Sequence, residues 1–87
     1  MLTVPVKKRM HRTVKAYLLV QAQLGKAQAV SREIARIRGV KMVHTVTGAY
    51  DVIAYLELSD MTSLSELVIK RIQSVKGVER THTAIVL

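Results

Sequence analysis

The sequence IRGVKMVHT at residues 37–45 returns thirty-eight positions later as VKGVERTHT at residues 75–83. Four of the nine positions are identical. The same offset superimposes two apolar positions of the preceding runs, Val30 on Val68 and Ile34 on Ile72. An amphipathic run, a Gly-Val break and an extended run therefore occur twice in the same order, which indicates a structural duplication. The stretch VTGAYD at residues 46–51 is then the hinge that joins two related halves.

The first half is predicted to begin with a strand and a helix. Residues 14–22 are rich in Val, Leu and Tyr and are apolar on both faces, as a central strand covered on two sides is. The next run carries an apolar stripe at spacings of three and four, which is typical of an amphipathic helix, and Gly39 ends it. The stripe consists of Ala27, Val30, Ile34 and Ile37.

A second strand is predicted over residues 40–47, with strictly alternating faces. One face would carry Val40, Met42, His44 and Val46, and the other Lys41, Val43, Thr45 and Thr47. Gly48 can take the positive φ that a tight hairpin turn needs, so residues 50–57 would form the third strand.

The second helix has the clearest start signal in the chain. Residues 59–63 supply several capping oxygens, and Ser63 with Glu66 has the spacing of a capping box. Gly77 would end this helix, and residues 78–87 would form the last strand. The predicted order of elements is βαββαβ.

This order is that of the ferredoxin-like fold, an α+β architecture. Right-handed crossovers place the first and third strands in the middle of a four-stranded antiparallel sheet, with both helices on one face. The opposite face is left bare, and a bare apolar face needs cover. We therefore predict a homodimer of the dimeric α/β barrel type, in which two such faces meet. The predicted interface residues are Tyr17, Leu19, Ile53 and Tyr55.

Composition separates a basic arm, residues 1–13, from a single domain, residues 14–87. The chain has 87 residues and a formal net charge of +8, and it contains no cysteine. Five of the cations lie within residues 1–15, where there is no acid, so residues 16–87 carry only +3. The lack of cysteine fits a reducing cytoplasm, where we expect the protein to act. The longest apolar runs are far shorter than the roughly 18 residues that a membrane-spanning helix needs, so no membrane partner is expected.

The loop of Gly48, Ala49, Tyr50 and Asp51 is the predicted ligand site. It offers backbone N–H groups to a carboxylate, a carboxylate of its own to an ammonium group, and an aromatic wall. A free amino acid has those needs. Thr81 and Thr83 point the same way on the last strand and could add hydroxyl contacts. The plainer interpretations stay open, since the loop could be only a turn and the threonines only good strand residues.

Catalysis, metal binding and DNA recognition have less support. The sequence has no nucleophile elbow, no Walker loop and no cysteine, so no catalytic residue, metal site or cofactor is predicted. His44 and His82 would lie on opposite edge strands, too far apart to share one ion. A cofactor-free enzyme of the dimeric α+β barrel type would have to use Tyr50, Asp51 and those two histidines. The other alternative is weak nucleic-acid binding through the basic arm. Specific DNA binding by the chain itself is not expected.

The set of motifs resembles the effector-binding domain of the Lrp/AsnC, or feast/famine, transcription regulators, the RAM domain. The matching stretches are AYLLV at residues 16–20, Gly39-Val40, VTGAYDV at residues 46–52, Asp60-Met61 and GVERTHT at residues 77–83. The resemblance implies a ferredoxin-like fold, dimers that assemble into octamers or decamers, and small effectors, usually amino acids, near the Gly48–Asp51 loop. Asp51 matches a family position tied to effector response, whereas Ala84 stands where other members have larger residues.

Full-length members of that family carry a helix-turn-helix domain before this region. Only about thirteen residues precede the first predicted strand here, so the resemblance predicts a stand-alone sensing module that lacks the DNA-reading domain. Such a module would act through its own oligomers or by joining full-length Lrp/AsnC proteins.

Overall fold

The computed structural model describes residues 13–87, and within them four antiparallel strands form one sheet in the order β2-β3-β1-β4. The predicted basic arm lies outside the described residues, except for Thr13. The strands are β1 (Val14–Ala22), β2 (Val40–Thr45), β3 (Val52–Leu58) and β4 (Val78–Ile85). The helices are α1 (Ala27–Ala35) and α2 (Met61–Glu66), and α2 continues directly into a π-helical segment (Leu67–Ile72). The predicted ferredoxin-like order, with β1 and β3 in the centre, is confirmed.

The duplication seen in the sequence is also present in the packing. Ile34 and Ile72, which the thirty-eight-residue offset superimposes, are both fully buried. Gly39 and Gly77 both have positive φ, +100° and +99°, and both sit against packed side chains. A Cβ at Gly39 would collide with the Leu58 side chain, which would have to shift, so glycine is favoured there by space as well as by conformation.

One face of the sheet and the two helices form the core. Side chains of the central strands alternate, and those that point to the helices are inaccessible to solvent. They are Ala16, Leu18 and Val20 of β1 and Val52, Ala54 and Leu56 of β3. The helices supply Val30, Ile34, Leu64 and Ile72. Burying an aliphatic side chain of this kind contributes about 1.5–3 kcal/mol.

The predicted alternation along β2 is wrong because the strand contains a β-bulge. Val40 pairs with Leu56, but Met42 pairs with Tyr55, so Lys41 is an extra residue without an opposite partner. Val40 consequently lies on the helix-covered face together with Val43, and Met42 and His44 lie on the other face. The strand ends at Thr45, two residues earlier than expected.

The predicted capping box of the second helix is also wrong. The N-cap is Asp60, whose Oδ1 accepts the backbone N–H of Ser63 at 2.7 Å. Ser63 is therefore not the N-cap; its N–H is the group that the cap satisfies. Aspartate in this position satisfies an N–H that would otherwise lack a partner in the first turn.

The second face of the sheet is open to solvent. Its central pairs are Tyr17 opposite Tyr55 and Leu19 opposite Ile53. The two tyrosine rings lie 5.1 Å apart at 47°, and Tyr17 is 45% exposed. Across residues 13–87 no helix is long and apolar enough to cross a membrane.

Candidate functional site

The predicted ligand loop lies beside the end of β1, which extends beyond its last pair with β3. The last pair between β1 and β3 is Val20 with Val52, and β1 continues to Ala22. The loop between β2 and β3 turns beside this overhang. Gly48 makes the turn with φ +120°, and apart from its chain neighbours no residue of 13–87 has an atom within 4 Å of the position that a Cβ would occupy. The tip of the loop is therefore accessible.

Asp51 holds this loop to β1 through both its backbone and its side chain. Its N–H donates to the Val20 carbonyl at 2.9 Å, and its carbonyl accepts the Val46 N–H at 2.8 Å. Its Oδ2 accepts the Ala22 N–H at 2.8 Å. The carboxylate thus takes the place of a strand partner for the overhanging end of β1. One carboxylate oxygen of Asp51 is therefore bonded to the backbone of β1, and the other, Oδ1, makes no hydrogen bond within residues 13–87.

Two further side chains fix the loop from the open face. Gln21 Nε2 donates to the Ala49 carbonyl at 3.0 Å. The Tyr50 hydroxyl lies 2.7 Å from His82 Nδ1, and the two rings are 5.8 Å apart. Because β1 lies between β3 and β4, the contact between Tyr50 and His82 spans the middle strand at this end of the sheet. Three consecutive loop residues, Ala49 to Asp51, are held in this way.

The structure separates the two threonines from the ligand loop. Thr81 pairs with Val20 and Thr83 with Leu18, so both side chains point to the helix-covered face. The two threonines thus share one direction, as predicted. Thr81 Oγ1 accepts a hydrogen bond at 3.3 Å from Nε2 of Gln73, the residue that follows the second helix. The residue between them, His82, pairs with Leu19 and shares the open face with Tyr50.

Gln21 and His82 therefore belong to the candidate site. His82 was expected beside Tyr50 and Asp51 only in the enzyme alternative, and Gln21 was not expected at all. A signal for Gln21 was present, because period-two alternation puts it on the same face as Tyr17 and Leu19. To place His82 beside the loop, the pairing register between β1 and β4 has to be known, and the sequence does not contain it. His44 lies on the opposite edge strand, β2, as predicted. Among the residues that the structure describes, no group of three His, Asp or Glu side chains could hold a metal ion.

The four predicted interface residues form a strip in the middle of the open face. Leu19, Ile53 and Tyr55 are half-buried, and Tyr17 is more exposed. Partial burial raises the pKa of Tyr55, and the hydrogen bond from its hydroxyl to Glu57 Oε2, at 2.9 Å, raises it further. The ligand loop adjoins one end of this apolar strip.

Comparison with known proteins gives a consistent picture of the domain. A family model described as the Lrp/AsnC ligand binding domain matches residues 15–87. The crystal structure of TTHA0845 from Thermus thermophilus is 35% identical, with a TM-score of 0.81, and the match covers 85% of this chain and 92% of that one. The regulator NMB0573 of Neisseria meningitidis, crystallised as an L-Met complex, is 20% identical with a TM-score of 0.80, and the match covers 100% of this chain and 56% of that one. At that identity the likeness is one of fold.

Curated relatives include both regulators and an enzyme. The HTH-type transcriptional regulator LysM of Saccharolobus solfataricus is 36% identical over 58 residues, which are 67% of this chain and 40% of the regulator. The homocitrate synthase of Sulfolobus acidocaldarius is 39% identical over 59 residues, which are 68% of this chain and 12% of the enzyme. The chain thus spans less than half the length of each of these relatives.

Proposed function

The chain belongs to the Lrp/AsnC ligand-binding domain family, and from this we propose that it senses a free amino acid through the loop of Gly48 to Asp51. The observation that carries the proposal is the fixed geometry of this loop. Ala49, Tyr50 and Asp51 are each hydrogen-bonded to a neighbouring strand, while Gly48 faces open space. A loop that is already ordered loses little conformational entropy when it binds a ligand.

The groups left available at the loop match the two charged ends of an amino acid. Asp51 Oδ1 is a carboxylate oxygen that can accept a hydrogen bond from an ammonium group. The backbone N–H groups of Gly48 and Ala49 make no hydrogen bond within residues 13–87 and can donate to a carboxylate. Hydrogen bonds to charged groups are the stronger ones, about 1.5–3 kcal/mol each. The Neisseria meningitidis regulator, which contains the same fold, was crystallised as an L-Met complex, and this supports an amino acid as the ligand class for this chain.

We propose that a second copy of the chain covers the open face. The strip of Tyr17, Leu19, Ile53 and Tyr55 is continuous across the two central strands and has no cover within the described part of the chain. Two such strips, placed face to face, would bury each other's apolar surface. Assembly of dimers into an octamer or decamer, and association with full-length Lrp/AsnC proteins, belong to the same proposal and are implied by family membership.

A binding role is preferred to a catalytic one, because the family model that matches this chain is described by ligand binding. The matched region occurs in transcriptional regulators and as 12% of an enzyme, and the family is described by ligand binding. We propose that this chain supplies the binding function without chemistry of its own. The stand-alone role is part of the same proposal.

A thermal-shift screen of the twenty amino acids, followed by calorimetry with the best ligand, tests the proposal. Asp51→Asn keeps an oxygen for the Ala22 N–H but removes the charge. We expect it to weaken binding by about 10- to 100-fold, which corresponds to about 1–3 kcal/mol. Asp60→Asn is the matched control, because Asp60 is the other aspartate of the chain and caps α2 away from the loop. Its affinity should equal that of the wild type.

Two results would reject this site. One is unchanged affinity in both Asp51→Asn and Gly48→Ala, which would place the ligand elsewhere. The other is the absence of a thermal shift with any amino acid.

A further inference from the structure

A groove between the two helices, on the side of the sheet away from the open face, concentrates the positive charge of the domain. It has a volume of about 590 Å³. Its cationic lining residues are Lys26, Arg36, Lys70, Arg71 and Lys76. Residues 13–87 contain ten Lys and Arg against six Asp and Glu, so half of the cations line this groove together with a single acid, Glu33. The remaining five cations and five acids balance each other.

The acid in the groove neutralises only part of this charge. Glu33 lies 3.5 Å from Arg36, and both side chains are exposed, so this ion pair is weak. Within residues 13–87 no other lining cation has a carboxylate within 4.0 Å, and residues 1–12 contain no acid. The groove therefore presents a net positive field of several charges in a concave space.

The local backbone contributes to this arrangement. Lys70 and Arg71 are neighbours in sequence, yet both line the groove. They lie in the π-helical segment, and wide turns of this kind occur frequently at functional sites. The Ser74 hydroxyl donates to the Lys70 carbonyl at 2.6 Å and ties the end of this segment together.

We propose that this groove binds a small molecule that carries two or three linked phosphates, such as a nucleoside triphosphate. Lys26 and Arg36 belong to the side of α1, and Lys70, Arg71 and Lys76 to the side of the second helix. An anion that contacts both sides needs several charges in a row. The floor includes Ala29, Ile37 and Val75, which can pack against a non-charged portion of the ligand.

The shape and lining of the groove favour a small ligand over a nucleic acid. A volume of this size is within the range of small-molecule sites and is too small to admit a nucleic-acid duplex. Proteins that bind single strands combine a basic groove with aromatic side chains on which the bases stack, and the lining of this groove includes no aromatic side chain. Arg and Lys without aromatic partners are typical of binding to phosphate itself.

Binding of inorganic tripolyphosphate and of ATP, measured by calorimetry at low ionic strength, tests this site. The variant Lys70→Gln/Arg71→Gln removes two groove cations. The matched control, Arg38→Gln/Lys41→Gln, removes one Arg and one Lys from exposed positions outside the groove. We expect the groove variant to weaken tripolyphosphate binding by about tenfold or more. The control should change it by less than about twofold, since exposed charges that do not line the groove act on the ligand only through screened solvent.

Comparison of the two ligands identifies the phosphate source. Tighter binding of ATP than of tripolyphosphate would support a nucleotide, and the reverse order would support inorganic polyphosphate. Equal weakening in the two variants would show attraction to net charge alone and would overturn the proposal. So would no measurable tripolyphosphate binding by the wild type, or groove-dependent binding of a single-stranded oligonucleotide without tripolyphosphate binding. Amino-acid affinity should be the same in both variants, so this test is independent of the loop site.

Discussion

The two faces of the sheet are built from similar residues, but only one of them is completed by the chain itself. On the helix-covered face, Ala16, Leu18 and Val20 are fully buried. On the open face, Leu19 and Ile53 are half-buried and Tyr17 is 45% exposed. Stability that comes from the first face should not depend on protein concentration. Stability that comes from the second should depend on it, because another molecule must supply the cover.

Leu18 and Leu19 allow a direct comparison of the two faces, since they are adjacent leucines that point in opposite directions. Leu18→Ala should lower the free energy of unfolding by about 3–5 kcal/mol, because it leaves a cavity in the core. Urea unfolding at several protein concentrations measures the loss, which should be the same at each. A loss below about 1 kcal/mol would mean that the core is not packed as described.

Leu19→Glu should have a smaller effect on the isolated chain and a larger one on assembly. A charged side chain in the middle of an apolar contact is costly to desolvate, so we expect the dimer to weaken by at least about tenfold. Analytical ultracentrifugation over a range of concentrations measures this change. If Leu19→Glu associates as the wild type does, then the open face is not the interface.

Gly39 and Gly48 make the same comparison for the backbone. Both have positive φ, but a Cβ at Gly39 meets Leu58 whereas a Cβ at Gly48 meets nothing. Gly39→Ala should cost about 1–3 kcal/mol from backbone strain, with a clash added. Gly48→Ala should cost less, since only the strain applies. Thermal unfolding of both variants checks the order, and a larger loss for Gly48→Ala would contradict it.

The hydrogen bond between Tyr50 and His82 should make a still smaller contribution. It is exposed, so Tyr50→Phe should cost only about 0.5–1.5 kcal/mol. A double-mutant cycle with His82→Gln isolates the interaction between the two side chains. Additive losses would show that the two side chains do not stabilise each other.

The smallest expected effect is a pH dependence at the start of α2. The hydrogen bond from the Ser63 N–H holds the pKa of Asp60 below its usual value. Because the folded pKa is the lower one, this stabilisation is complete above the unfolded pKa and is lost as the pH falls through the folded pKa. Asp60→Asn cannot titrate, so the difference in stability between wild type and variant should shrink on acidification. Urea unfolding at a series of acidic pH values measures this trend.

Periodicity and the glycine breaks predicted the order of elements, and the handedness of the crossovers then predicted the strand order. The stripe of Val30 and Ile34, the Gly-Val breaks and the hinge at Gly48 each depend on local chemistry that the sequence carries directly. The bulge at Lys41 could not be predicted in the same way. A bulge changes the register by one residue without changing the composition of the strand, so only the pairing with Tyr55 and Leu56 reveals it.

The site was predicted less completely than the fold for a related reason. Loop residues that are adjacent in sequence, such as Tyr50 and Asp51, could be proposed from their chemistry. Gln21 and His82 reach the same loop from β1 and β4, and their positions depend on long-range register. Thr81 and Thr83 were proposed as ligand contacts from alternation alone, which predicts that their side chains share a direction but not which face of the sheet they lie on.

Mass in solution tests most directly whether a second copy completes the open face. At micromolar concentration, light scattering or sedimentation equilibrium should give a particle of at least twice the 9.7 kDa of one chain. Leu19→Glu should shift the mass toward that of the single chain. A wild-type particle of 9.7 kDa, stable and folded over the same concentrations, would contradict the account of the open face.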